Sequence, residues 1–517
     1  MKKYLTGKNM MTCYAMLISF VFPLFITNYY YNIQKSKSLF FILATVVFVI
    51  LFLVFSLLQE KKRYILRDKL QDPSILLLFA FLGLSFLSAI FSPYKGGVSL
   101  TGEGSRSIGF LFLMSGVLCT LILRLSDIDR KYTGYAFLLG GFLAAVLGIF
   151  NFIGMNLFGL VSAVPTSFRG RYLSTIGYIN FFSQYLSLVC AFGLAQFSLR
   201  KERAILPVLF ILYTTLLITD SNGGLLGFLF VLLVLPLILR QEKGWFLRFT
   251  IGLLPLVPAL PAAKLLFQWS GVEFQPSGLT GFLLQPRVMA GLCIALLLLF
   301  AAALLLRRLK PAETALSEDR KALLLRAYGL LLLGGFISLL LILILSGAGV
   351  LPENPLTVDD GFANYRGYIW RRSLQIFGKA PFMRKLFGYG PDTLKLLYQD
   401  RLGKEMSAIT GQIFDSAHSF VLQYLLSTGI LGLLSLIAAF ASLIAAAVRN
   451  PHRETLPFLA ALAAFLIQAF FVPGQPLVSP LFFLLAGIVC LDPKRLFQSV
   501  SDTVSQEPPA ESPDGPV

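Results

Sequence analysis

The chain has 517 residues, of which 56% are hydrophobic and 14% charged, and its mean hydropathy is +0.76. A soluble protein cannot hide that much apolar surface, so the soluble classes are excluded. The formal net charge of +18 would suit a nucleic-acid partner, but the Lys and Arg lie between apolar runs, the bias expected of cytoplasmic loops in a multi-span protein, and no nucleic acid is expected.

In chain order, the apolar runs predict an all-α polytopic membrane protein with about 14 transmembrane helices. Backbone polar groups in hydrocarbon need internal partners, which is why the spans are expected to be helical. Their cores fall at 10–28, 38–58, 74–92, 107–123, 133–153, 178–198, 205–219, 223–239, 249–267, 288–306, 328–346, 418–448, 455–471 and 477–491. The first run follows basic residues and lacks a small-residue cleavage site, so it reads as a span rather than a signal peptide. The stretch 205–239 fits either two short spans around Asp220-Ser221-Asn222-Gly223-Gly224 or one broken helix. An even count puts both termini on one side, together with the loops QEKKRYILRDK, RKER, RQEKGWFLR and RRLKPAETALSEDRK. These carry most of the basic residues, so that side is expected to be cytoplasmic.

The expected organisation is an N-terminal transmembrane bundle of about 11 spans over 1–346 and an extracytoplasmic loop with amphipathic helices over 347–417. C-terminal transmembrane helices follow over 418–497, then a disordered cytoplasmic tail over 498–517. A loop this long is functional or disordered, and its Trp370, Tyr, Phe and GYG turn favour order. The tail is rich in Pro, Ser and acid. The five cysteines, Cys13, Cys119, Cys190, Cys293 and Cys490, form no CxxC or ligand cluster and read as small core hydrophobes.

Chemistry concentrates around the long loop. His418, one of two histidines, lies where DSAH runs into an apolar helix. With Asp415 or Ser416 as N-cap, it would sit in the first helical turn. The positive end of the helix dipole would then keep its ring neutral and fit for general-base work; the alternative is an interfacial histidine with no role. His452, in RNPHRE, reads as a loop residue. In NYRGYIWRRSLQIFGKAPF, helical spacing puts Arg366, Trp370, Ser373 and Phe377 on one face. Arg371 and Arg372 point elsewhere, and snorkelling to lipid headgroups is their expected role. In LFGYGPDTLKLLYQ, Gly388 and Gly390 permit a tight turn that, with Trp370, shapes the loop, and Pro391 suits the first turn of a helix. In SFRGRYLSTIGYINFFSQYLSL, Arg169 and Arg171 precede a span that contains Asn180 and Gln184. Polar groups in a span are functional candidates, or helix–helix glue, the reading favoured for Gln184. Arg287 is a further outer-interface cation. Asp127-Ile-Asp129 has a DxD form that reads as incidental, and Asp359-Asp360 alone makes no metal site. Guanidinium groups bind pyrophosphate bidentately and stay charged.

Arg366 ahead of Trp370, the GYG turn at 388–390, and DSAHSFVLQYLLSTGILGLL together resemble the O-antigen ligase/polymerase superfamily of bacterial membrane proteins with a Wzy_C-type domain. The last stretch is similar to the family's "AHN-x-hydrophobic… GxxG" signature, with Ser419 where Asn is frequent and with Gly429 and Gly432 matching. SLTGEGSRSIGFLF (99–112) and RYLSTIGYINFF (171–182) resemble upstream elements of the family. The resemblance implies a GT-C-like helical fold and metal-independent glycan transfer, without a cofactor, on the outer face of the bacterial cytoplasmic membrane. The implied donor is a glycan on undecaprenyl pyrophosphate. The implied acceptor is a hydroxyl on lipid A–core, on another lipid-linked glycan or on a protein. By resemblance His418 is the base, and Arg366 and Arg171 hold the pyrophosphate. One departure is Asn222, where the family often has Arg in Ser-Arg-Gly; Arg287 or Arg169 would then substitute. The expected reaction is inverting, in cell-surface polysaccharide biosynthesis. The alternatives are a protein O-oligosaccharyltransferase or, in a different class, a lipid-linked glycan flippase. A transporter would gather its charges at the midplane rather than in one long loop.

Overall fold

The computed structural model describes residues 7–57, 72–94, 97–162, 164–270, 275–308, 318–347, 358–449 and 451–489. Within them the chain is all-helical but for one tiny hairpin. Helix α1 (Gly7–Met16) runs through a π-helical turn, Leu17–Val21, into Phe22–Leu24. Then come α2 (Ile33–Leu57), α3 (Pro73–Ile90), α4 (Phe110–Leu125) and α5 (Arg130–Phe152). The hairpin pairs β1 (Tyr172–Leu173) with β2 (Gly177–Tyr178). It leads into α6 (Ile179–Arg200), α7 (Ile205–Ile218) and α8 (Asn222–Leu239). Next are α9 (Trp245–Leu253), α10 (Leu256–Trp269), α11 (Pro286–Arg308) and α12 (Glu318–Gly347). The long-loop region holds α13 (Phe362–Lys379), α14 (Phe382–Phe387) and α15 (Leu394–Thr410). Helices α16 (Phe420–Arg449), α17 (Leu456–Ala469) and α18 (Ser479–Val489) close the described chain.

Eight of these stretches are long and apolar enough to cross a membrane: α2, α3, α5, α6, α8, α9 with α10, α11 and α16. Helices α4, α7, α17 and α18 are apolar but shorter. The ambiguous stretch 205–239 resolves into two helices, α7 and α8. Asp220 between them has φ +48, outside the helical range. Between α9 and α10, Pro255 has no N–H to offer the helix, and the axis breaks there. The tail 498–517 and Cys490 lie outside the described residues. Of the other cysteines, Cys119 and Cys190 are buried, Cys293 is half-buried and Cys13 is exposed.

Helix α6 is the hub. Its most apolar 18-residue window is entirely buried, with α7, α8, α9 and α17 packed around it. Helix α16 lies along α3, and α18 along α4. Phe440, Phe465 and Phe482 knit α16, α17 and α18, the last two rings stacked at 4.5 Å. Gln184 in α6 accepts from Gln475 Nε2 at 3.5 Å; the expected helix–helix bond is instead one from a helix to the segment ahead of α18. The Asp127-Ile-Asp129 stretch is structural. Asp127 pairs with Lys8 at 3.2 Å, and the Asp129 carboxylate accepts from the Tyr132 N–H at the start of α5.

One joint fixes the long loop against the bundle. Gly429 breaks the helical path of α16 with φ 71 and ψ −177. The carbonyls of Leu426 and Ser427 then accept from the N–H groups of Tyr389 (2.8 Å) and Gly390 (2.9 Å), and Ser427 O also accepts from Ser88 Oγ (2.6 Å). A Cβ at Gly388 would lie 2.4 Å from Ser427 O, and one at Gly429 would lie 2.1 Å from Leu386 O. The two backbones touch, so glycine is obligatory on both sides. Gly429→Ala is expected to destabilise the protein by at least about 2 kcal/mol through overpacking and added φ strain. Thermal unfolding in detergent should show a clearly lowered midpoint, and an unchanged midpoint would contradict the joint.

Candidate functional site

The site grows from three segments that meet beside the N-terminus of α6. The first is the glycine-rich run before α4. Gly102 has φ 84, and a Cβ at Gly104 would lie 1.8 Å from Asp392 O, so this loop presses directly on the GYGPD turn. Asp392 holds it there. Its carboxylate accepts the backbone N–H groups of Ser105 (3.0 Å), Arg106 (3.0 Å) and Ser107 (3.2 Å). Burial pushes the Asp392 carboxyl up to about 7, opposed by those three N–H groups and by the Arg106 charge. The clamp fixes Arg106, which is only 6% exposed.

Arg106 Nη2 donates to Asp415 Oδ1 at 2.6 Å, and the guanidinium carbon sits 5.8 Å from the Phe181 ring centroid. Its Nε and Nη1 are buried without a hydrogen-bond partner. Buried donors left open are costly, and these two N–H groups, one on each side of the guanidinium, leave it with unused capacity for an oxyanion. Burial would raise the Asp415 carboxyl, but the Arg106 charge and hydrogen bond, with His418 adding to them, hold it below the usual range.

The second segment carries His418. The carboxylate of Asp415 is committed to Arg106, and α16 begins only at Phe420, so the expected Asp415 or Ser416 cap on a first-turn histidine is not formed. His418 instead precedes the helix in the left-handed region, φ +47. This conformation strains any residue with a Cβ, and it aims the ring into the cavity. Phe414 meets the ring edge-on, centroids 5.5 Å apart. Among the described residues neither ring nitrogen has a hydrogen-bond partner. The ring is held neutral, at about 3, first by burial and then by the charges of Arg106 and Arg366, with Asp415 pulling the other way. Neutrality therefore comes from burial and two guanidinium groups; the helix dipole is not needed to explain it.

The third segment is α13. The backbone at Ala363, Asn364 and Tyr365 is left-handed, and regular helix begins at Arg366. Arg366 is half-buried, and burial lowers its pKa. No carboxylate pairs with it among the described residues. Trp370 packs between Phe362 (6.2 Å) and Phe471 (6.3 Å), and Ser373 Oγ bonds Tyr398 Oη at 2.6 Å. Arg371 and Arg372 are ion-paired rather than snorkelling. Arg371 lies 3.2 Å from Asp360, and Arg372 bonds Glu405.

A cavity of about 360 Å³ joins these pieces, lined by Arg106, Arg366, Lys395, Asp415 and His418 together with Tyr178, Asn180, Phe181, Phe414 and Pro473, among others. Cations outnumber anions around it. His418 and Arg366 share this cavity, and Asn180 reaches it from α6. Arg169, Arg171 and Arg287 are exposed and do not line it. Arg169 Nε donates to Val164 O at 3.2 Å, and Arg171 lies over the Phe168 ring at 5.7 Å. Arg171 adjoins Tyr172, whose strand partner Tyr178 is in the cavity wall.

Asn222 has its own role. Its Oδ1 accepts the Leu279 N–H at 2.8 Å, while the neighbouring Asp220 carboxylate accepts from Ser277 N at 3.0 Å. These bonds fasten the segment at 277–279 to the start of α8, and the second cavity guanidinium comes from Arg106. Sequence reasoning quoted the stretch around Arg106 but did not single out that residue, Lys395 or Asp392. The available signal was one Arg inside a glycine-rich run between two apolar spans.

No individually curated protein matches the sequence. Residues 274–437 match the family model Wzy_C, described as O-antigen ligase. The matched range contains α13–α15, His418 and the joint at Gly429, and the match over this part of the multi-pass helical chain supports the O-antigen ligase/polymerase superfamily.

Proposed function

We propose that the chain is a metal-independent, inverting glycosyltransferase that moves a glycan from undecaprenyl pyrophosphate to an acceptor sugar hydroxyl. The observation that carries this reading is the pairing, on one cavity, of a neutral imidazole with the guanidinium groups of Arg106, which has two unpartnered nitrogens, and of Arg366, which has no carboxylate partner among the described residues. Arg106 and Arg366 engage the pyrophosphate, and Lys395 adds charge at the wall. His418 takes the acceptor proton as the hydroxyl oxygen attacks the anomeric carbon from the face opposite the leaving group. The anomeric C–O bond breaks, and its electron pair leaves on undecaprenyl pyrophosphate. Fixed cations lower the barrier because charge develops on that leaving group.

The donor's anion also acts on the base. Free of ligand, both guanidinium groups suppress proton uptake by His418. A bound pyrophosphate cancels that field, so the ring becomes more basic when donor is present. The outward Arg169, Arg171 and Arg287 are proposed as approach-path cations for the same headgroup. Fourteen spans, cytoplasmic termini and a site facing the exterior complete the reading, supported by the helix order and the loop charge bias.

Purified protein in proteoliposomes, supplied with the host's lipid-linked glycan and acceptor, should transfer glycan at the same rate with or without EDTA. A rate abolished by EDTA and restored by a divalent cation would refute metal independence. Deletion in the native host assigns the acceptor. Loss of long chains with one repeat retained marks a polymerase, and unattached lipid-linked polymer marks a ligase. A protein acceptor would appear as loss of glycoprotein alone.

A further inference from the structure

A second and larger cavity, about 610 Å³, lies on the other flank of α15, lined by Pro93, Tyr94, Arg384, Tyr389, Gln399 and Asp400, among others. Its volume falls within the range of small-ligand sites, roughly 300–1,000 Å³. Nothing in the transfer chemistry above uses it. The walls are fixed in advance. Ser92 Oγ donates to Tyr389 O at 2.7 Å and accepts from Tyr94 N at 3.2 Å, tying the two tyrosine-bearing segments together. Arg384 Nη1 donates to Phe91 O (2.6 Å) and Gly388 O (3.3 Å), and its guanidinium lies 5.9 Å from the Tyr389 ring centroid. Gln399, Asp400 and Arg401 are exposed on α15 along the opposite wall. The lining therefore offers the half-buried Tyr94 ring on one bank, backed by the buried Tyr389, and a planar amide, a carboxylate and a guanidinium on the other.

That combination matches one class of ligand. Sugar rings present a C–H face that packs on aromatic rings and pairs of vicinal hydroxyls that both donate and accept. Asp400 and Arg401 pair with each other at 3.6 Å on this exposed bank, and a lipid tail would desolvate that pair and Gln399 with no polar contact in return. The geometry points to a glycan subsite that holds sugar units beyond the reacting residue, with Tyr94 as stacking platform and Gln399 and Asp400 as hydroxyl partners. Its placement fits: Lys395 faces the reaction cavity and Leu396 and Gln399 face this one, from the same helix. Tyr389 lines this cavity, and Asp392, three residues on, clamps Arg106. The inference depends on the transferase reading only for the supply of sugars, because binding itself needs no turnover.

The probe is the set of oligosaccharides released from the host's own surface polysaccharide by mild acid, offered to the full-length protein in nanodiscs. Saturation-transfer difference NMR should show contact with the wild type and with His418→Ala alike. Gln399→Ala, at an exposed position, and Tyr94→Ala should each cut the signal at least about fivefold. In transfer assays both variants should raise KM for long glycans several-fold and leave single-repeat substrates unchanged. No contact with the wild type, or full signal in both variants, would overturn the subsite. Transfer by His418→Ala at the wild-type rate would instead overturn the catalytic reading and leave the subsite standing.

Discussion

His418→Ala should reduce glycan transfer by about 10²–10⁴-fold, the usual contribution of a general base, while leaving the amount of folded, membrane-inserted protein unchanged. The reason for expecting an intact fold is local. His418 already sits at φ +47, so alanine inherits the same backbone strain and gives up no hydrogen bond. His418→Gly sharpens the test. Relief of left-handed strain contributes roughly 1–2 kcal/mol, and extra chain entropy costs roughly 0.5–1 kcal/mol. That variant should be at least as stable as the wild type and equally inactive. Stability and turnover would then move apart, which a merely structural histidine would not produce. Near-normal glycan from either variant would end the assignment of the base.

The same ring makes a pH forecast. With the folded-state value near 3, the ring is neutral in the free enzyme across pH 5–8. kcat/KM should therefore lack the acid limb near 6.5 that an ordinary histidine gives. Below about 6.5 the unfolded chain binds a proton that the folded ring refuses, so this contribution to stability falls as pH drops from about 6.5 toward 3. Asp392, pushed up to about 7, is the other group that titrates nearby. An acid limb near 7 would belong to its clamp on Arg106, and Asp392→Asn should remove it. A limb near 6.5 that survives Asp392→Asn would contradict the neutral histidine.

Arg106→Lys is expected to be nearly as damaging as Arg106→Ala, with transfer down at least about 10²-fold in both, the scale of losing one transition-state donor. Lysine keeps the charge but lacks the planar fork that serves Asp415 and an oxyanion together. Arg106→Ala should lower stability, because it leaves the largely buried Asp415 carboxylate without its partner; removal of two buried N–H groups that have no partner offsets part of that cost. Arg106→Ala with Asp415→Asn should fold like the wild type and remain inactive. Activity within twofold of wild type in Arg106→Lys would show that charge alone suffices and that the fork is irrelevant. Arg171→Ala, on an exposed side chain, should raise KM for the donor and spare kcat.

Much of the fold was legible because hydrocarbon imposes one simple rule on a sequence. Long apolar runs such as 38–58 and 288–306 appear as α2 and α11 with only modest shifts at the ends. The break inside 205–239 was visible as Asp-Ser-Asn-Gly-Gly, but its resolution into two helices depends on bonds from Asp220 and Asn222 to residues 57 positions away. The site divides in the same way. His418 and Arg366 could be singled out because each interrupts a clear pattern. Arg106 could not, because its role comes from Asp392 and Asp415, 286 and 309 residues further along the chain. Local spacing carries no trace of such a partnership. The neutral ring was anticipated for the wrong reason, since a helix cap was assumed where the carboxylate had a stronger partner elsewhere.

The clamp that Asp392 places on residues 105–107 also sets a timetable. A chain emerging from the ribosome delivers these three amides long before their acceptor exists. Until residue 392 and then residue 418 are made, the nascent polypeptide can insert its early helices while the pocket is still unformed. The cluster around Arg106 is completed only near the end of synthesis, so a chain that stops before residue 392 lacks it.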